Sequence, residues 1–433
     1  WRADVRAFTI TRAGAGQVRE VPVPVPGPGE ALIKVAYVGI CGTDYHIFQG
    51  DFVSSYPLVN GHEFSGVVAA LGQGVAGWRE GDRVTVDPTL YCGRCYHCLR
   101  RQANHCDYWG AIGDTVDGAL AEYVLAPARN LYRVEDHETL EEAAFTEPLA
   151  CVVWGIERLR VRPSDRVLIF GAGPIGALLT RMLHLSSAAD IVVVDVMREK
   201  LRVAREMGAR ATFVATDDLT AQLEERTQGR KFDIVLDCTG VPTVIQGMFR
   251  HAGSNARIMF FGVASPQAEI RIKPFDVYHH DWEILGSMAI NYTFQQARDL
   301  LAAGRLTVKP LISRIAGLDE VAGILGRAKD TDRAQDADRT ERGLTPAPPA
   351  ADAFHRPRWG SKTWSSMCQA SSMRFHSGSN VRTWHQLWPG RRQQRRSRAP
   401  RVHELLATAP AGRSAGGVDT SSGTLSSEHR LAP

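Results

Sequence analysis

Short, wholly apolar runs rich in β-branched residues mark the middle of the chain. Four of them occupy residues 167–170, 191–194, 234–236 and 258–261. Strands that are buried on both faces have this pattern. Apolar residues at helical spacing separate the first three runs, over residues 175–185 and 199–207. This alternation of strand and helix predicts an α/β fold with a parallel, doubly wound sheet.

The first 147 residues have a different pattern, in which glycine and proline interrupt short extended segments. Residues 21–29 alternate Pro with Val or Gly, and an apolar stretch over residues 31–38 follows them. Segments of this kind are typical of an irregular, mostly β domain.

Two further helical patterns follow residue 285. The first ends at Gly304, and we expect Asp319 to cap the second; their apolar positions are Phe294, Ala297, Leu300 and Leu301, then Val321, Ile324 and Leu325. We expect both helices to return to the N-terminal domain. The predicted limits are therefore 1–147 together with 285–330 for that domain, and 148–284 for the sheet domain.

Beyond residue 330 the apolar periodicity disappears. Residues 331–433 are rich in Arg, Ser, Pro and His and hold four of the nine Trp, so we expect a disordered tail. Arg outnumbers Lys by 44 to 7 in the whole chain, and a frame change in GC-rich coding sequence is one origin for such a tail. The basic run at residues 391–398 offers charge to nucleic acid or phospholipid, but such runs are usually only solvated, and we do not expect nucleic-acid binding.

Composition and charge limit the function classes. A chain of 433 residues with 44% apolar content can bury more than one core. Residues 1–330 hold 35 Lys and Arg against 39 Asp and Glu, so the basic excess belongs to the tail. No run of about 20 apolar residues suits a membrane span, and no secretory signal is recognisable. We expect a cytoplasmic protein; because the chain begins at Trp1 rather than Met, we also expect that a short leader has been removed.

A glycine-rich loop follows the first apolar run. It contains Gly171, Gly173 and Gly176, with Pro174 and Ile175 between the last two, and Asp195 ends the next apolar run. The first glycine permits a tight turn, the second lets a pyrophosphate approach the backbone, and the third allows close packing of the helix. A carboxylate at Asp195 can accept both ribose hydroxyls of NAD and repels the extra phosphate of NADP. We therefore predict NAD binding here rather than a purely structural turn.

Four cysteines lie within fifteen residues and point to a metal. Cys92, Cys95, Cys98 and Cys106 can fill the tetrahedral shell of zinc and leave no open position, which is typical of a structural site. The alternative is two disulfides or reduced surface thiols, which a chain without a secretory signal does not favour.

Three further fragments have ordinary explanations when each is taken singly. Cys41 resembles a buried thiol, His62 a core histidine and Glu147 an acid at a helix start. Their joint occurrence with the glycine loop and the four cysteines changes this interpretation and indicates a catalytic site.

Together these motifs resemble the zinc-containing medium-chain dehydrogenases, which include alcohol, sorbitol and threonine dehydrogenases. The resemblance covers residues 5–328 and rests on CGTD at Cys41, GHE at Gly61, the cysteines from Cys92 to Cys106, EPLAC at Glu147 and GAGPIG at Gly171. It implies a GroES-like catalytic domain, interrupted by a Rossmann NAD-binding domain, with the active site in the cleft between them.

The resemblance also implies a second, catalytic zinc. Cys41 and His62 would be direct ligands, with Glu63 or Glu147 completing the protein shell and one position open to water or substrate. Glu147 stands where classical alcohol dehydrogenases carry a cysteine, and this resembles the polyol and threonine branches.

Three other residues receive roles from the resemblance. Thr43 would take the substrate proton, His46 would pass it to solvent, and Asp44 would orient His62. Trp154 and Asn60 depart from the common pattern, which leaves the shape of the substrate pocket open.

The implied function is NAD-dependent oxidation of a polyol, sugar alcohol or amino alcohol. The alternatives are a threonine 3-dehydrogenase and a zinc-binding protein that its altered C-terminus has made inactive. The resemblance suggests a small-molecule alcohol as partner and a homo-oligomer, either a dimer or a tetramer.

Overall fold

Antiparallel strands make up the N-terminal part of the chain in the computed structural model, which describes residues 4–52 and 54–326. The strands form sheets in the orders β2-β1-β4, β10-β6-β5-β3-β9 and β7-β8. Their bounds are β1 Asp4–Arg12, β2 Ala15–Pro22, β3 Glu30–Gly39, β4 Leu58–Val59, β5 Glu63–Leu71, β6 Arg83–Val86, β7 Thr89–Leu90, β8 Gly110–Ala111, β9 Tyr123–Pro127 and β10 Leu131–Arg133. The predicted tail, with its basic run at 391–398, lies outside the described residues.

Six parallel strands form a separate sheet, in the order β13-β12-β11-β14-β15-β16. The strands are β11 Arg166–Phe170, β12 Asp190–Asp195, β13 Ala211–Val214, β14 Phe232–Asp237, β15 Ala252–Phe260 and β16 Glu283–Gly286. This order is that of the Rossmann fold, so the predicted doubly wound sheet is confirmed. The pattern did not predict β13 and β16, which are only four residues long and lie at the two edges.

Helices cover both faces of the parallel sheet. Along β11, Val167 and Ile169 pack into one core while Leu168 packs into the opposite one, which is why the apolar run has no polar positions. The helices in the described residues are α1 Gly42–Gln49, α2 Tyr96–Leu99, α3 Leu140–Ala143, α4 Thr146–Leu159, α5 Pro174–Leu185, α6 Arg198–Glu206, α7 Leu219–Thr227, α8 Pro242–Met248, α9 Pro274–His280 and α10 Phe294–Ala302, and residues 321–326 are also helical. None of the helices in the described ranges has the length and apolar character to cross a bilayer.

The segments after residue 285 contact both parts of the molecule. Phe294, at the start of α10, packs its ring 4.6 Å from that of Tyr132. Val321 and Leu325 join the core that contains Phe8. This packing agrees with a return of the chain to the N-terminal sheets.

The predicted cap at Asp319 is wrong. The turn begins at Gly317, whose N–H donates to Glu320 Oε1 at 3.0 Å. Asp319 lies inside the turn and forms an ion pair with Arg6, so its side chain is directed to another partner.

Candidate functional site

A cluster of one thiol, one imidazole and one carboxylate lies where α1 meets strand β5. Cys41 precedes the first residue of α1, and His62 and Glu63 stand at the start of β5. Their ligand atoms lie within 4.8 Å of one another. The structure therefore brings together three of the predicted catalytic residues.

Glycine at position 39 makes room for this cluster. Gly39, the last residue of β3, pairs directly with Glu63. A Cβ at Gly39 would lie 2.2 Å from Glu63 Oε2, a distance that no real pair of atoms tolerates. The absence of a side chain at Gly39 thus leaves room for the Glu63 carboxylate in its observed position.

Glu147 lies beside the cluster but not within it. It stands in the first turn of α4, is 7% exposed, and accepts a hydrogen bond from Cys151 Sγ at 3.5 Å. Its carboxylate is outside the group of atoms that lie within 4.8 Å of one another. Of the two glutamates considered, Glu63 has the position nearer to Cys41 and His62.

Burial dominates the electrostatics of the cluster. Burial raises the pKa of Cys41 to about 11, that of Glu63 to about 7 and that of Glu147 to about 8. In residues 4–52 and 54–326, no Lys or Arg forms an ion pair with either glutamate. A mixed set of sulfur, nitrogen and oxygen donors of this kind fits zinc.

His62 has a partner that the sequence did not reveal. Its Nδ1 lies 3.2 Å from Asp114 Oδ1 and 3.7 Å from Asp44 Oδ1. Desolvation alone would lower the pKa of His62, but the carboxylates of Asp114 and Asp44 raise it well above its ordinary value. Asp114, rather than Asp44 alone, is placed to orient the imidazole.

Asp44 is held by groups of its own. Its carboxylate accepts hydrogen bonds from Cys41 N at 2.8 Å and from Asn60 Nδ2 at 3.0 Å. Asn60, which departs from the common pattern, thus has a structural role beside the cluster.

Thr43 and His46 extend from the cluster toward solvent. Thr43 Oγ1 lies 3.8 Å from Cys41 Sγ. His46, in the last turn of α1, has Nδ1 3.0 Å from Asp51 Oδ2, and its side chain is 31% exposed. The pair is suited to link the cluster with water.

The second cluster consists of the four cysteines on the segment that we call the cysteine lobe, residues 92–106. Their sulfurs lie within 4.8 Å of one another, with Cys92 and Cys98 4.0 Å apart and Cys95 and Cys106 3.8 Å apart. Sulfurs about 2.3 Å from a tetrahedral zinc would be about 3.8 Å apart. The cysteines are free thiols, so the residues fit a closed zinc site and not a disulfide pair.

Each glycine of the cofactor loop has a distinct geometry. Gly171 has φ 97°, and a Cβ at Gly176 would lie 1.9 Å from Gly171 O, whereas nothing lies within 4 Å of a Cβ at Gly173. The first glycine thus makes the turn, the third permits packing, and the second leaves open space for a phosphate. Pro174 and Ile175 begin α5, whose N-terminus favours an anion.

Asp195 ends β12 beside this loop. Its Oδ2 accepts a hydrogen bond from Ala172 N at 2.7 Å and its Oδ1 accepts one from Met197 N at 2.8 Å. These bonds hold the carboxylate at the carboxyl edge of the sheet, where a dinucleotide ribose is bound in this fold.

Two known sequence families match the chain. Residues 27–136 match the alcohol dehydrogenase GroES-like domain, and residues 174–303 match the zinc-binding dehydrogenase family. D-altritol 5-dehydrogenase of Agrobacterium fabrum is 31% identical over 322 residues, which are 73% of this chain and 94% of that protein. Sorbitol dehydrogenase of Halalkalibacterium halodurans is 32% identical, over 71% of this chain and 92% of that protein.

Solved structures have the same fold. A zinc-binding dehydrogenase from Sinorhizobium meliloti bound to NADP has a TM-score of 0.72 at 33% identity, covering 75% of this chain and 96% of that one. An alcohol dehydrogenase from Escherichia coli complexed with NADH has a TM-score of 0.71 at 29% identity, covering 76% of this chain and 96% of that one.

Proposed function

The chain belongs to the zinc-containing medium-chain dehydrogenases, and from that premise we propose that it oxidises a polyol or sugar alcohol with NAD. The observation that carries the proposal is the cluster of Cys41, His62 and Glu63 within 4.8 Å, in a chain that also has a dinucleotide loop at Gly171. Relatives named for altritol, arabinitol and sorbitol support the substrate class.

We propose that Cys41 and His62 hold the catalytic zinc, with Glu63 as the oxygen ligand. Glu147 lies nearby and is the alternative oxygen ligand. A zinc ion there supplies a Lewis acid that makes a bound hydroxyl more acidic. Asp114 fixes the ring of His62 through Nδ1, 3.2 Å away. Such outer partners keep a ligand imidazole in one orientation and one tautomer.

The route of the proton follows the exposed side of α1. Thr43, whose Oγ1 lies 3.8 Å from Cys41 Sγ, would be the first relay: its oxygen would accept the proton of the bound hydroxyl while its own proton passes outward. His46 is the next group outward, because its imidazole is partly exposed and rests on Asp51 at 3.0 Å. NAD serves as the hydride acceptor, held by the loop from Gly171 to Gly176.

Trp154 is placed to shape the substrate pocket. Glu147, Cys151 and Trp154 recur at helical spacing on α4 and share one face of it. The guanidinium of Arg158 lies 5.7 Å from the Trp154 ring and holds the indole from the next turn. We propose that this ring restricts the length or branching of the alcohol.

The test is a substrate panel with NAD, followed by NADH absorbance, together with zinc per chain. Altritol, arabinitol and sorbitol should be oxidised faster than L-threonine or ethanol, with two zinc ions bound per chain. A preference for L-threonine would favour the threonine alternative. Two zinc ions without turnover of any alcohol would favour the inactive zinc-binding protein.

We also propose a homo-oligomer. Strand β16 is an edge of the parallel sheet within the described residues, and its Ile284 is 37% exposed. The neighbouring helix α9 exposes Phe275 by 65% and Tyr278 by 79%. An exposed strand edge beside an apolar surface favours pairing with another chain. Light scattering should give a dimer or tetramer, and a monomer at micromolar concentration would contradict this.

The domain limits and the location remain proposals as well. We propose 1–147 with 285–330 for the catalytic domain and 148–284 for the nucleotide-binding domain, supported by the packing of Val321 and Leu325 against Phe8. A cytoplasmic location is supported by the free thiols of the cysteine lobe, because reducing compartments keep thiols reduced. Domain-wise proteolysis and cell fractionation test the two proposals.

A further inference from the structure

The segment of residues 287–292, which we call the β16 exit segment, has an unusual backbone. It leaves the carboxyl end of β16, and it contains Ala289 with φ 47° and Tyr292 with φ 60°. L-residues with side chains rarely adopt this region, and such conformations persist only where surrounding contacts impose them. The contacts of this segment therefore identify the groups that hold its backbone in this conformation.

Two hydrogen bonds to this segment come from the cysteine lobe. Ala103 N donates to Asn291 Oδ1 at 3.1 Å, and Asn104 Nδ2 donates to Met288 O at 3.0 Å. Asn104 is only 1% exposed, so both hydrogen bonds are sheltered from competing water at the lobe side.

Tyr292 adds ring contacts to the same interface. The guanidinium of Arg101 lies 5.6 Å from the Tyr292 ring centroid, and the Tyr91 ring lies 5.7 Å away at 72°. Cation–π and edge-to-face contacts of this kind are attractive. The lobe and Tyr91, the residue just before it, thus contact the segment at Met288, Asn291 and Tyr292.

The other side of the segment reaches the helix of Glu147. Ile290 is 2% exposed and packs into the core that contains Leu149 of α4. Thr293, the next residue after the segment, donates through Oγ1 to Ala150 O on α4 at 2.7 Å. The segment therefore joins the cysteine lobe to the helix that carries Glu147.

We infer that the cysteine lobe is a clamp that holds the β16 exit segment at the carboxyl edge of the nucleotide-binding sheet, with Asn104 and Asn291 as positioning residues. The inference rests on the proposed function in one respect, since it assumes that NADH binds at this edge. The closed cysteine site then has a task beyond local stability, because its loop fixes the backbone that borders the cofactor.

The experiment uses Asn291→Ala, which removes the acceptor for Ala103 N, and Asn291→Asp, which keeps it. Gln102→Ala is the matched control, because Gln102 lies in the lobe and its side chain faces His97 instead of the segment. For each full-length variant, zinc per chain, hydrogen exchange of residues 287–293 and the Kd for NADH are measured.

Asn291→Ala should keep two zinc ions, exchange faster in residues 287–293, and raise the Kd for NADH by roughly 2- to 10-fold, as expected for one lost hydrogen bond. Asn291→Asp and Gln102→Ala should remain near the parent protein. Asn104→Ala provides a second test at the Met288 contact and should give the same pattern if it folds with full zinc.

Two results for Asn291→Ala would overturn the inference. One is an unchanged rate of hydrogen exchange in residues 287–293 with both zinc ions bound, and the other is faster hydrogen exchange with an unchanged Kd for NADH. Failure of the proposed function is distinguishable. If the parent protein oxidises no alcohol while Asn291→Ala still raises the Kd for NADH as expected, the proposed function is contradicted and the clamp is supported.

Discussion

The two cysteine-containing clusters surround their thiols differently. In the cysteine lobe, backbone N–H groups donate to the sulfurs of Cys92, Cys95 and Cys106 at 3.3–3.5 Å. The N–H of Cys98 is the main reason that the pKa of Cys95 is lowered to about 6, whereas burial raises the pKa of Cys98 to about 12. At the other cluster, burial and the neighbouring Glu63 raise the pKa of Cys41 to about 11.

We expect a metal at the cysteine lobe to stabilise structure and a metal at the Cys41 cluster to act on substrate. The lobe is a short loop, and we expect its fold to depend on the ion that we propose for its four sulfurs. The Cys41 cluster is built by strands β3 and β5, which pair through many hydrogen bonds without any metal. Removing metal should therefore unfold the first region and only inactivate the second.

The largest expected effect is on stability and comes from Cys95→Ser. Structural zinc contributes about 10 to 16 kcal/mol in isolated finger peptides, which is comparable with the whole stability of a typical domain. We expect loss of one zinc and a protein that is destabilised or insoluble, as judged by thermal melting. Cys238→Ser, at a thiol outside both clusters, is the control, and equal melting of the two variants would remove the proposed contrast.

The next effect is on turnover and comes from Cys41→Ser. Loss of an outer partner of a metal ligand already costs about 10- to 100-fold, so loss of the ligand thiol should lower kcat by more than about 100-fold. The melting temperature should stay near that of the parent, since the strands remain paired. An active Cys41→Ser variant, or one that unfolds like Cys95→Ser, would show that the clusters do not differ as described.

A smaller effect should follow from Asp114→Asn. The amide keeps an oxygen near His62 Nδ1 but lacks the negative charge. Zinc affinity at the cluster of Cys41, His62 and Glu63 should therefore fall by about 10- to 100-fold. Competition with a chelator should show this loss at one of the two zinc ions only. Asp44→Asn provides the comparison, and a larger loss there than in Asp114→Asn would return the orienting role to Asp44.

The smallest effect concerns Asp195, which lies away from both clusters. Asp195→Ala should leave two zinc ions and the melting temperature unchanged. It should raise the KM for NAD and narrow the preference over NADP by roughly 10-fold, on the order of one charged hydrogen bond. If the unaltered protein used both cofactors equally, the role given to Asp195 would be wrong.

Local pattern was sufficient for features that local chemistry determines. Residues 167–170 and 191–194 are buried on both faces, and that burial is visible as runs without polar residues. The glycines of the cofactor loop and the spacing of the four cysteines likewise carry their geometry in short segments.

Contacts between distant segments could not be predicted in this way. Asp114 meets His62 only because residues 118–120 bond to the backbone of residues 59–61. Nothing in the sequence around Asp114 distinguishes it from an exposed turn residue. The contact between Asn104 and Met288 joins parts of the chain separated by 184 positions. Edge strand β16 is short and partly polar, so its pairing depends on β15 and not on its own periodicity.

Gly39 affects the donor set of the cluster of Cys41, His62 and Glu63 although it is not one of the three residues. A methyl group at this position would lie 2.2 Å from Glu63 Oε2, so the carboxylate would have to move, and we expect it to shift away from the thiol and the imidazole. Softer donor sets favour softer ions such as Cu(I), whereas oxygen donors favour harder ones. We therefore expect Gly39, which contributes no side chain, to influence which metal the Cys41 cluster binds, and a survey of the metals bound by Gly39→Ala tests this expectation.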